Sequence, residues 1–80
     1  MKLPRDLSGR ELANGLCKHW KYREAAQEGS HLLLITDDPS HQRIAIPLHR
    51  SVKVGTLNNI LRAVAAHKST TRETILKTIL

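Results

Sequence analysis

The chain has 80 residues, with 13 Lys and Arg against 7 Asp and Glu and a formal net charge of +6. A chain this short buries only about two-thirds of the surface its unfolded form exposes, which excludes a second domain, a deep pocket and a large cofactor. Its single cysteine excludes an internal disulfide and a cysteine-rich zinc site.

No apolar run approaches the roughly 20 residues needed to span a bilayer. The opening segment MKLPRDLSGR lacks the apolar stretch of a signal peptide, so a cytoplasmic protein is expected. Ser8-Gly9-Arg10-Glu11 is a capping box, and Leu7 and Leu12 flank it at the spacing of a hydrophobic staple. The helix that follows carries Leu12, Leu16 and Trp20 on one stripe, with Ala13 and Cys17 beside it, and should end near His19. Cys17 and Trp20 are expected in the core.

Lys21 to Gln27 forms a short strand of weak alternation, and Glu28-Gly29-Ser30 a turn. His31 to Thr36 is a strand by its Leu-Leu-Leu-Ile run, closed by the turn signal Asp37-Asp38-Pro39-Ser40. His41 to Leu48 alternates, with Ile44, Ile46 and Leu48 opposite Arg43, Ala45 and Pro47. Pro47 cannot donate to a ladder, so this strand ends or lies at an edge there.

Thr56 is expected to cap a second helix, whose Leu57, Ile60, Leu61, Val64 and Ala65 fall on one face. A third begins at a second box, Thr70-Thr71-Arg72-Glu73, and carries Ile75, Leu76, Ile79 and Leu80. The expected fold is α+β, ordered α-β-β-β-α, with a three-stranded antiparallel sheet, helices on one face and an extra short C-terminal helix. The core spans about residues 2–66 of a single domain and the last helix about 70–80.

Pairing Leu33 with Ala45 sets Leu32 and Leu34 against Ile46 and Ile44 on the helix side. His31 then lies opposite Pro47, sharing the open face with Arg43 and His49. A register shifted by one residue buries His31 instead. From Pro39 through Arg72 there is no acidic residue, while Arg43, Arg50, Lys53, Arg62, Lys68 and Arg72 are basic. Such a stretch suits a polyanionic partner, the plain alternative being a solvated face. Zinc needs several ligands within a few ångströms, whereas a hairpin separates His31 from His41 by roughly 15 Å. No metal site and no cofactor are expected.

KLP and SGREL near the start, GSH opening the second strand, IPLH closing the third and VGTLNNILR at the second helix together resemble the HicA family. These are small mRNA-cleaving toxins of type II toxin–antitoxin systems, with a double-stranded-RNA-binding-domain-like fold, held inactive by a HicB antitoxin. The resemblance covers residues 2 to about 66. It implies an endoribonuclease with His31 as its catalytic residue, RNA as substrate and a HicB-like protein as partner. Two positions depart from the family pattern. Lys21 stands where a glycine is common, and Glu28 where a basic or neutral residue is usual.

RNA carries its own nucleophile, so a base near neutral pH suffices to draw the 2′-OH onto the adjacent phosphate. His31 is assigned as general base or acid. Gly29, Ser30 and His49 are candidate support, and Arg43, Arg50 and Lys53, with Lys21 and Arg10, are candidate RNA contacts. Trp20 and Tyr22 are the only aromatic residues, which points to little sequence preference in cleavage. The alternatives are a non-catalytic RNA-binding domain of the same fold and a domain whose basic surface meets an acidic protein.

Overall fold

The computed structural model describes residues 2–80, in which the Ser8 capping box opens the first helix, α1 (Gly9–His19). The Glu11 amide donates to the Ser8 hydroxyl and the Ser8 amide to the Glu11 carboxylate, both at 3.0 Å. Leu12, Ala13 and Leu16 of α1 are fully buried. Trp20 and Cys17 are only partly buried against the core, short of the interior place their spacing suggests. The Trp20 indole has a polar partner, donating to the Thr78 hydroxyl at 2.7 Å.

The chain leaves α1 through Lys21 at φ 62°. That left-handed conformation suits glycine and cannot belong to a strand, so the first strand starts later than expected. It is β1 (Arg23–Glu28), followed by β2 (His31–Thr36) and β3 (Gln42–Pro47) in one antiparallel sheet of order β1-β2-β3. The β1–β2 ladder has a bulge between Glu24 and Ala26. β3 is shorter at both ends than its alternation suggests. His41 is held in the connector by Asp37, Nδ1 to Oδ1 2.9 Å, and Pro47 has no N–H to continue the ladder.

The register is the expected one: His31 opposite Pro47, Leu32 opposite Ile46, Leu33 opposite Ala45 and Leu34 opposite Ile44. Leu32, Leu34 and Ile46 join one core cluster with α1 and α2 (Val54–His67), whose Leu57, Ile60, Leu61, Val64 and Ala65 are all buried. The start of α2 differs from expectation. Lys53 is its N-cap, accepting the Leu57 amide on its carbonyl at 2.8 Å, and Thr56 lies inside the first turn. The last helix, α3 (Arg72–Ile79), is capped by Thr71 rather than Thr70, with the Thr74 amide donating to its hydroxyl at 3.2 Å. With the cap shifted by one residue, Glu73 cannot close a box.

α3 packs across α1 and α2 as a further layer behind the sheet-covering pair. Gly15 permits this, because a Cβ there would stand 2.7 Å from the Ile79 side chain. Ile75 and Leu76 are buried, whereas Leu80, expected on the same stripe, is 71% exposed beyond the helix end. No helix among the described residues is long and apolar enough to cross a membrane.

Gly9 marks the closest approach among the glycines. A Cβ there would lie 1.9 Å from the Pro47 carbonyl oxygen, so the helix start sits directly on the end of β3. Gly9→Ala should therefore destabilise the protein by about 1–3 kcal/mol through overpacking against rigid backbone. Gly55→Ala, where a Cβ meets nothing within 4 Å, should leave stability unchanged or raise it by up to about 1 kcal/mol. Urea denaturation of the two variants checks both.

Candidate functional site

Residues directly opposite one another in a ladder share a face, so the open side of the sheet carries three rows. These are Glu28–His31–Pro47, Ala26–Leu33–Ala45 and Arg23–Ile35–Arg43. Leu33 is well covered yet stands outside the core cluster, forming the apolar middle of this face. β1 is exposed throughout its length.

His31 begins β2 immediately after the turn, where Gly29 adopts φ 59°. A Cβ at Gly29 would meet nothing within 4 Å, so the glycine serves the turn's backbone and leaves its outer side open. The Ser30 carbonyl accepts the Leu48 amide at 2.6 Å, carrying the β2–β3 pairing one step past Pro47. That bond brings the IPLH end alongside the GSH turn.

Three further backbone and core contacts fix the segment after β3. The Gly9 amide donates to the His49 carbonyl at 2.9 Å, and the Val52 amide to the Leu7 carbonyl at 2.8 Å. The Val52 side chain is 1% exposed and anchors the connector in the core. Lys53 and the first turn of α2 follow at once.

The outcome is a pair of adjoining depressions that meet at His31. One, of about 400 Å³, is lined by His31, Ala45, Pro47, His49, Lys53 and Thr56. The other, of about 490 Å³, is lined by Glu28, His31, Leu33, Arg43, Ile44 and Ala45. Both are shallow and open to solvent, as expected for a chain too small to enclose a pocket. Thr56 was not legible as a site residue, since it resembles a helix cap in sequence, and Glu28 stood out only as a departure from the family pattern beside the GSH turn.

His31 and His49 are both exposed, and neither imidazole has a hydrogen-bond partner among the described residues. Two other histidines are committed: His41 to the Asp37 carboxylate, and His67 Nε2, at the end of α2, to the Ser40 carbonyl at 2.7 Å.

The expected RNA contacts divide. Arg43 and Lys53 line the depressions, and Arg50 is exposed in the connector beside His49. Arg10 is instead paired with Glu24 at 3.2 Å, on the helix side of the sheet edge. Lys21 lies at the far end of β2, 3.5 Å from Asp38. Nor does the acid-free stretch form one surface. Lys68 turns inward, donating to the buried Thr36 hydroxyl at 2.9 Å and to the Asp38 carbonyl, with its ammonium 4.8 Å from the centre of the Tyr22 ring. Desolvation holds the Lys68 ammonium below the usual lysine range and pushes the Tyr22 hydroxyl up to about 12. Arg72 donates to the Asn58 side chain.

A site that does no structural work should be replaceable without loss of stability. His31→Ala and His49→Ala are each expected to change unfolding free energy by no more than about 0.5 kcal/mol. Val52→Ala, which empties the buried anchor behind them, should cost about 1.5–3 kcal/mol. Thermal and denaturant unfolding of the three variants checks the contrast. Compared with models of protein families, with curated proteins and with solved structures, the chain matches none.

Proposed function

We propose that the chain is a HicA-like toxin, a cytoplasmic endoribonuclease that cleaves mRNA without a metal ion, with His31 as its general base or acid. The observation that carries this reading is the exposed, unbonded imidazole of His31 at the junction of two depressions, next to a second unbonded imidazole and a lysine. Packing does not account for it, and no hydrogen bond does.

In the reaction, a base takes the proton from the 2′-OH and O2′ forms a bond to the adjacent phosphorus. The P–O5′ bond breaks, the 5′-oxygen takes up a proton, and the products are a 2′,3′-cyclic phosphate and a 5′-hydroxyl. His31 performs one of these proton transfers, and His49, across the smaller depression, is the candidate for the other. Lys53 offers charge to the non-bridging oxygens, Arg50 holds the backbone beside His49, and Arg43 contacts the RNA on the other side of His31. A HicB-like antitoxin would silence the enzyme by covering this face.

One positioned base or acid contributes about 10²–10⁴-fold. Purified protein should cleave a single-stranded RNA to cyclic-phosphate ends, leave the 2′-deoxy analogue intact and lose rate by that factor on His31→Ala. Induced expression should arrest growth for the wild type and not for the variant, at matched soluble levels and equal melting temperature. Cleavage that survives His31→Ala would leave only an RNA-binding role for this face.

A further inference from the structure

The two depressions flanking His31 differ in a way that assigns them different parts of an RNA strand. The one bounded by His49, Lys53 and Thr56 contains no carboxylate and suits a phosphate. The other has an apolar floor of Leu33 and Ala45, a carboxylate at one edge from Glu28 and a guanidinium at the opposite edge from Arg43. A carboxylate repels phosphate, so this side is no place for the backbone. An apolar floor between an acceptor-only group and a donor-only group is the complement of a flat heterocycle with donors on one edge and acceptors on another.

Glu28 is held in position by the ladder, because it forms the terminal pair of the β1–β2 hairpin with His31. It shares the open face with that imidazole. Neither Glu28 nor Arg43 forms an ion pair among the described residues, whereas Glu24, Asp37 and Asp38 are all engaged by basic partners. Both groups are therefore available to a ligand.

We infer that the Glu28–Leu33–Ala45–Arg43 depression is a nucleobase subsite selective for guanine. Guanine alone among the four RNA bases presents two adjacent donors, N1–H and the 2-amino group, that match the two oxygens of a carboxylate. Its O6 and N7, on the neighbouring edge, accept from Arg43. Adenine and cytosine each place an acceptor beside their single amino donor, which faces the carboxylate unfavourably, and uracil offers one N–H between two carbonyls. Selection of one base by one carboxylate needs no aromatic platform, so the inference departs from the little sequence preference expected from the scarcity of aromatic residues. The inference rests on the open face being an RNA surface, and it gives Glu28 a specificity role distinct from the proton transfers of His31.

The test uses the full chain and nucleoside 3′-monophosphates as probes, followed by NMR chemical-shift titration of the wild type, Glu28→Gln and Lys53→Ala. Guanosine 3′-monophosphate should bind about tenfold or more tightly than the adenosine, cytidine and uridine equivalents, moving the amide signals of residues 26–33 and 43–45. Glu28→Gln should bring the four within about threefold of one another, and Lys53→Ala should weaken all four alike. Equal affinities in the wild type, or a guanine preference retained in Glu28→Gln, would overturn the assignment. Cleavage of oligonucleotides that differ at one base separates the two proposals. His31-dependent cleavage indifferent to guanine sinks the base subsite and leaves the nuclease. Guanine-selective binding with no cleavage sinks the nuclease and leaves the subsite.

Discussion

Everything around the site depends on the register of β2 against β3. Leu32 and Leu34 are buried under the helices with Ile46, and Leu33 with Ala45 is committed to the opposite side. A slip of β2 by one residue against β3 would turn Leu33 toward the helices and present Leu32 and Leu34 to water. At roughly 1.5–3 kcal/mol for each large buried aliphatic side chain, no such alternative competes in a domain with so thin a core. The exposure of His31 thus follows from where the leucines after it must go. The Ser30 carbonyl and Leu48 amide extend the same register by one step, and that step is what brings His49 within the same depression.

A second constraint lies at the other side of β3. The N-terminal segment is threaded between the strand end and the connector, with Leu7 receiving the Val52 amide and Gly9 donating to the His49 carbonyl. The capping box that starts α1 and the bonds that hold the site are therefore consecutive along the chain. Ser8 and Glu11 fix the direction of the helix, and the missing Cβ of Gly9 lets it approach the Pro47 carbonyl. The start of the helix and the site thus share one set of contacts, although residues 9 and 49 are far apart in sequence.

Much of this was legible in the sequence because it follows from periodicity. The α2 stripe and the β2–β3 pairing arise from apolar residues recurring at helix or strand spacing, the Ser8 box from a serine and a glutamate three residues apart, and the three appear in the structure as expected. The misplacements occur where local cues are degenerate. Thr56 and Thr70 each look like caps, but the caps are Lys53, which makes no side-chain cap bond, and Thr71. Gly9 gave no signal, since a close backbone approach has no periodicity. The division of the basic residues was equally hidden: nothing in one dimension distinguishes the inward-turned Lys68 from the exposed Lys53.

That division changes what the charge of +6 means. Arg10, Lys21 and Arg23 stand against Glu24, Asp38 and Asp37, in pairs whose side chains are 47–77% exposed. Such pairs add little to stability, on the order of 0–1 kcal/mol, but they cancel charge locally. Most of the carboxylates thus lie on α1, at the β1 edge or at the far turn, leaving Arg50 and Lys53 without an ion-pair partner among the described residues at the His31 end, and Arg43 likewise two rows along the open face. Unpaired positive charge therefore stands beside the two unbonded imidazoles, in Lys53 and Arg50. Glu28 is the exception, a single negative charge directly beside His31. Its charge disfavours an anion on the Glu28 side of His31, whereas the His49 side carries no carboxylate. The placement of that residue is why the two sides of His31 are chemically unequal.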